Sequence, residues 1–157
     1  MSTTATLRIP NAELIAMLIS SAEGMHEIEI DEARELLGDR TKSVLDSKDI
    51  HFHFNRACAI QEVMQKLKHA SLIPPPSHSH PTIITLTSQY QVDVMDTILD
   101  FTFEWQNDTV TEPLWGLRAT LPTTIAELAD SLRAEMNERI NRLVWITKLQ
   151  ASWNASK

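Results

Sequence analysis

The chain has 157 residues, of which 43% are hydrophobic and 22% charged, and its formal net charge is −7. This length fits one domain, or two small subdomains that share a core. Its three glycines are too few for a glycine-rich phosphate-binding loop, and the patterns GxGxxG and GxxxxGK[ST] do not occur.

The negative charge is concentrated in residues 1–50 and 81–121, each of which has a net charge of −5, whereas residues 51–80 carry three basic residues and one acidic residue. Proteins that bind nucleic acids usually present a concentrated basic surface, because phosphate contacts supply most of their affinity. The charge distribution therefore favours a protein partner with a basic surface.

The single cysteine, Cys58, excludes an intramolecular disulfide and a cysteine-rich zinc site. The opening "MSTTATLRIP" lacks the charged start and long apolar run of a secretory signal, and no apolar run is long enough to span a membrane. We expect a soluble, cytoplasmic protein without a cofactor.

The N-terminal half is predicted to be helical. Asn11 is a good N-cap for a first helix that Gly24 could end, and the alternating segment 26–30 predicts a short strand. A brief helix over 31–38 follows, and apolar residues then step by three and four along a long helix from Asp49 to about residue 70.

A proline- and histidine-containing linker over 74–81 separates this helical subdomain, 1–73, from residues 82–157. After the linker the hydrophobic period changes to two, which predicts strands over 82–88, 90–94, 97–106 and 114–121. A last helix runs from residue 122 to about 151. The predicted fold class is α+β, with a helical N-terminal half, a three- or four-stranded antiparallel sheet and a long C-terminal helix that together form one folded unit.

Histidines near the single cysteine suggest metal binding or nucleophilic catalysis. His51 and His53 would share a face on a strand, but on a helix they diverge by about 200°. His78 and His80 in the linker could join them or Cys58 at a zinc ion, although zinc sites usually show tighter paired spacing. Helix-end and linker histidines with a buried structural cysteine are the favoured interpretation, so no metal site and no catalytic residue are predicted.

Acidic residues recur at four-residue intervals in the second half of the chain, and no nucleophilic motif accompanies them. The predicted strands place Asp100 and Glu104 on the wet face of the sheet, with Arg118 as a cross-strand partner. Trp105 and Trp115 belong to the core by burial habit, or serve as interface anchors if the sheet is only partly covered. We predict that these five residues bind a protein partner.

The segments "EIEIDEARELLG" and "NRACAIQEVMQKLKHASLI" together resemble the middle of a winged helix-turn-helix domain. The resemblance covers residues 11–95 and implies a first helix, a short strand, a small helix and a longer recognition helix that exits into a wing. It implies DNA contacts from exposed residues of the long helix. These candidates are His51, Asn55, Arg56, Lys66 and Lys68.

Three functions follow from these observations. The first is a non-enzymatic interaction protein, namely a regulator, an inhibitor or an adaptor, that binds a basic protein surface. The alternative is a winged-helix-like DNA-binding regulator that dimerises through residues 124–151. The third is a small metal-dependent enzyme that uses the histidines.

Overall fold

The computed structural model describes residues 4–38, 46–72, 74–111 and 125–156. These ranges form six elements, in the order β1 (Ala5–Ile9), α1 (Ala12–Gly38), α2 (Asp46–Ala70), β2 (Thr82–Leu86), α3 (Gln89–Thr111) and α4 (Ile125–Ser156). The described chain is therefore mostly helical, and its only sheet is the antiparallel pair β1–β2. The predicted three- or four-stranded sheet is wrong.

The described elements form two halves, each with the order strand, helix, helix. Equivalent residues of the two strand–helix units lie 77 positions apart, as their helix caps show. The side chain of Asn11 accepts a hydrogen bond from the backbone N–H of Leu14 at 2.8 Å, and Ser88 accepts one from the backbone N–H of Gln91 at 3.2 Å. Each side chain caps its helix at the same position.

The same offset relates the buried positions of the two helices. The first seven buried residues of α1 are Leu14, Ile15, Met17, Leu18, Ser21, Ala22 and Met25, and those of α3 are Gln91, Val92, Val94, Met95, Ile98, Leu99 and Thr102. In the sheet, Leu7 pairs with Ile84, its own equivalent. An approximate two-fold axis through the centre of the β1–β2 pair accounts for this register, because such an axis pairs equivalent residues with each other.

Helix α1 continues through the segment 26–30, where the alternating pattern predicted a strand. The alternation is misleading. Ile28 is exposed, whereas Met25 and Ala33 are buried, and α1 packs extensively against α2. Gly24 does not end α1, since its backbone keeps a negative φ. The prediction of two short elements here is wrong.

Helix α3 occupies the segments 90–94 and 97–106, which were predicted as strands. Its buried stripe includes the polar residues Gln91, Thr102 and Gln106, so a pattern of apolar residues alone conceals the helical period. The Thr102 hydroxyl is satisfied inside the helix, because it lies 2.7 Å from the Ile98 carbonyl. The fourth predicted strand, 114–121, lies outside the described residues.

The long α2, a strand in the segment 82–88 and the long C-terminal helix are confirmed. The strand ends at Leu86, two residues before its predicted end, and α4 extends five residues beyond the predicted end. Helices α3 and α4 run antiparallel. The Trp153 indole donates to Asp96 at 2.6 Å near one end, and Arg139 donates to the Thr109 carbonyl at 2.7 Å near the other. Trp153 is 1% exposed and belongs to a buried hydrophobic cluster that, among the described residues, draws members from both strands and all four helices.

None of the described helices is both long enough and apolar enough to cross a membrane.

Candidate functional site

An aromatic and acidic surface lies on α3. Glu104 and Trp105 lie three and four residues after Phe101, and Asp108 lies four and three residues after them, so these four residues share one side of the helix. Together with small residues of α1 they line a shallow pocket of about 380 Å³. We call these four residues the α3 face.

The pocket on the α3 face exists because α1 presents small side chains there. Ser20 and Gly24 line the pocket on the α1 side, and no heavy atom lies within 4 Å of the position that a Cβ of Gly24 would occupy. Phe101 is 37% exposed and Trp105 is 46% exposed. Trp105 is thus not a core residue, and the predicted burial of this tryptophan is wrong, since α3 turns the ring away from the buried cluster.

The predicted partner-binding residues divide into three groups. Glu104 and Trp105 lie on the α3 face, and Glu104 forms no ion pair with a described residue. Asp100 is exposed one turn before Glu104, and it accepts a hydrogen bond at 2.9 Å from the Gln150 side chain of α4. Trp115 and Arg118 lie outside the described residues.

Comparison with models of known families, with curated proteins and with solved structures finds no significant match to this chain. The winged-helix resemblance therefore stays a prediction. The strand that it requires over 26–30 is part of a helix.

Arg56, one of the predicted DNA-binding residues, forms an ion pair within the fold. Two side chains of α2 contact the carboxylate of Glu29 on α1. His53 Nδ1 lies 2.5 Å from Glu29 Oε2, and Arg56 Nε lies 2.7 Å from Glu29 Oε1. The Arg56 contact is an ion pair without a well-aligned hydrogen bond from Nε. This cluster joins α1 to α2, and it pairs the Arg56 guanidinium, which is 33% exposed, with a mostly buried carboxylate.

The two lysines of that set are engaged as well. Lys66 donates to the Thr85 carbonyl at 2.7 Å and to the Gln91 side chain at 3.2 Å, which ties α2 to β2 and α3. Lys68 forms an ion pair with Glu23 of α1 at 2.8 Å. His51 and Asn55, the other two members, are exposed on α2.

Cys58 is exposed, so its predicted burial is wrong. The inward side of α2 is formed by Ala57, Ile60 and neighbouring apolar residues, and Cys58 lies instead at the edge of a shallow hollow beside Glu62. That hollow is lined by no histidine among the described residues. A cysteine nucleophile needs an adjacent base and an orienting group, and the geometry here does not bring them together.

The histidines do not converge. Within the described ranges, no group of three or more His, Cys, Asp or Glu side chains is placed to hold a metal ion. His78 and His80 lie in a turn of the linker that is closed by a hydrogen bond from the Ser77 backbone N–H to the His80 carbonyl at 3.1 Å. This turn lies near β1 and α4, away from the histidines of α2.

Proposed function

We propose that this protein is a non-enzymatic interaction module, a regulator, an inhibitor or an adaptor, whose α3 face binds a basic segment of a protein partner. The observation that carries the proposal is the half-exposed Trp105 beside Phe101 and the carboxylate of Glu104, which forms no ion pair with any described residue. Tryptophan is enriched among the residues that dominate binding energy at protein interfaces. The single cysteine, which forms no internal disulfide, suits the cytoplasm as its location.

The two kinds of side chain on the α3 face have separate roles in this proposal. The rings of Phe101 and Trp105 supply apolar area that a partner would remove from water, and truncation of such an anchor typically costs about 2 kcal/mol or more in binding, or roughly 30-fold in Kd. The carboxylate of Glu104 attracts the basic partner and orients it, which raises the association rate.

The proposed occupant is an amphipathic basic helix. The pocket above Gly24 has room for an apolar side chain between α1 and the rings of α3. Lys or Arg residues one turn away on the same helix would reach Glu104. A helix whose apolar face lies in a groove between helices is a common mode of peptide recognition.

The DNA-binding alternative has less support, because Arg56, Lys66 and Lys68 make contacts within the fold. Phosphate binding would have to compete with those contacts for each cation.

The dimer proposed with that alternative would use α4, on which Ile140 and Val144 are each 41% exposed.

Affinity capture from the native host tests the proposed function, with the wild-type chain, Trp105→Ala and Glu104→Lys as baits. Glu32→Lys is the matched control, since it makes the same change of charge at an exposed position on α1 that lies outside the α3 face. Glu104 is chosen over Asp100 because Asp100 also contacts Gln150. We expect a protein with a basic segment that binds wild type and Glu32→Lys and is depleted at least tenfold with the other two baits.

Equal capture by all four baits would refute the choice of surface. Recovery of nucleic acid in place of protein, lost when His51 and Asn55 are replaced by alanine, would favour the DNA-binding alternative and contradict the proposal. Circular dichroism of each bait checks that the helical content is unchanged before capture is compared.

A further inference from the structure

A second pocket lies on another side of the molecule, where β1, the linker turn and the C-terminal part of α4 meet. Its volume is about 440 Å³, within the roughly 300–1,000 Å³ range of small-molecule sites. Three of its lining residues are basic or can become so: Arg8 from β1, His78 from the linker and Lys148 from α4. We call it the β1–α4 pocket.

The floor of the β1–α4 pocket is apolar. Leu14 and Leu149 belong to the buried core, and the ring of Trp145 is partly buried against that core. The described residues that line the pocket include no Asp or Glu. A ligand here would meet a hydrophobic surface with an aromatic ring on one side and positive charge at the rim.

The cations of this pocket differ from two arginines of α4, Arg139 and Arg142. Arg139 pairs with Glu135 at 2.8 Å, and Arg142 pairs with Glu13 at 3.0 Å. The hydrogen bond to Glu13 raises the pKa of Arg142 above its ordinary value, with the charge of Glu138 adding to the effect and burial opposing it. These arginines are therefore committed to the fold.

Arg8 and Lys148, by contrast, form no ion pair with any residue in the described ranges. In a chain with a net charge of −7, two cations that lie at one pocket without an acidic neighbour in its lining are an unusual concentration of positive charge.

The two-fold relation between the halves provides an internal comparison. The equivalents of Arg8 and Leu14, 77 positions later, are Thr85 and Gln91, and Lys66 donates to both. Gln91 in turn donates to Glu62 at 3.0 Å. The equivalent region of the other half is thus crossed by a polar network within the protein. An apolar floor, with cations at its rim that pair with no described residue, is therefore not a requirement of this architecture.

We propose that the β1–α4 pocket binds a small organic anion with an apolar or aromatic body. Its acidic group would contact Arg8 and Lys148, and its body would lie on Leu14, Leu149 and Trp145. This site is separate from the α3 face and does not depend on the function proposed for that face.

A pair of fluorescent probes that share one aromatic body tests the ligand class. The anionic probe is 1-anilinonaphthalene-8-sulfonate, and the neutral probe is N-phenyl-1-naphthylamine, which lacks the sulfonate. The variant is the double replacement Arg8→Gln and Lys148→Gln, both at exposed side chains. We expect one molecule of the anionic probe to bind per chain, about five- to tenfold more weakly in the variant, since partly exposed ionic contacts contribute modestly. Binding of the neutral probe should be unchanged.

Two further variants make the result specific. The double replacement Arg34→Gln and Lys48→Gln removes the same charge from exposed positions on α1 and α2, and it should leave both probes unaffected. Ser152→Phe fills the pocket from an exposed position of its lining and should abolish the binding of both probes.

The proposal is overturned if the anionic probe binds the Arg8/Lys148 variant as tightly as wild type, or if the Arg34/Lys48 control weakens its binding equally. It is also overturned if Trp105→Ala removes the probe while Ser152→Phe does not, because the probe would then occupy the α3 face.

Discussion

Replacing Gly24 by alanine should stabilise the protein. Gly24 lies in the interior of α1, with a negative φ and with no heavy atom within 4 Å of the added Cβ. An alanine there loses less backbone entropy on folding than glycine does, and it meets no steric obstacle. If Gly24 instead ended a helix in the left-handed conformation, as the sequence pattern alone suggested, the same replacement would destabilise the protein.

The magnitude follows from helix propensity. Glycine in a helix interior costs about 0.5–1 kcal/mol relative to alanine, so the free energy of unfolding should rise by about that amount. For a chain of this length, about 1 kcal/mol corresponds to a shift in Tm of roughly 2–4 °C. The expected increase for Gly24→Ala is therefore about 1–4 °C.

Urea denaturation followed by circular dichroism measures this change, and the m-value should stay constant. Gly38→Ala is the matched control, because Gly38 is the last residue of α1 and also has free space at its Cβ. Its effect should be smaller, since helix propensity counts for less at a helix end. A loss of about 1 kcal/mol in Gly24→Ala would refute a continuous α1 and restore two separate elements.

Two further sets of replacements test the buried core. Thr102→Val removes a buried hydroxyl that lies 2.7 Å from the Ser21 hydroxyl and should cost about 1–2 kcal/mol of unfolding free energy, while addition of Ser21→Ala should cost less than the two single losses combined. An additive double mutant would contradict this contact. Trp153→Phe removes the hydrogen bond to Asp96 and should cost about 1–3 kcal/mol, and Trp153→Ala about 3–5 kcal/mol because it also leaves a cavity. Costs below about 0.5 kcal/mol in urea denaturation would place the indole outside the core.

The secondary structure could be predicted where apolar spacing and capping agreed. Asn11 marked the start of α1 correctly, and α2 followed its apolar steps. Helix α3 could not be predicted in this way, because buried Gln91 and Thr102 interrupt its apolar stripe, while exposed Phe101 imitates strand alternation. Gln91 contacts Glu62 and Lys66 of α2, and Thr102 contacts Ser21 of α1 as well as the Ile98 carbonyl of its own helix. Contacts between elements of this kind cannot be read from a single sequence.

The period assigned to α3 also decides what its surface can do. On a strand, Glu104 and Trp105 would point to opposite faces of a sheet, with Glu104 in solvent and Trp105 in the core. On a helix they are about 100° apart and both reach the same groove, joined by Phe101. Glu104 and Trp105 could be selected from the sequence by residue type. Their placement on one surface could not, because it depends on α3 being a helix.

The β1–α4 pocket could not be found from the sequence, because Arg8 and Lys148 are 140 positions apart and no motif links them. They meet because α4 packs beside β1. The repeated halves were equally hidden, since their equivalents, such as Ser21 and Ile98, share burial rather than residue type.

We propose that a protein partner binds at the α3 face. Hydrogen–deuterium exchange of the wild-type chain, alone and with the partner recovered by affinity capture, tests it most directly. We expect slower exchange upon binding in residues 101–108 of α3 and 20–24 of α1, and none of this protection with Trp105→Ala. Protection confined to residues 51–68 of α2, with α3 unchanged, would contradict the claim.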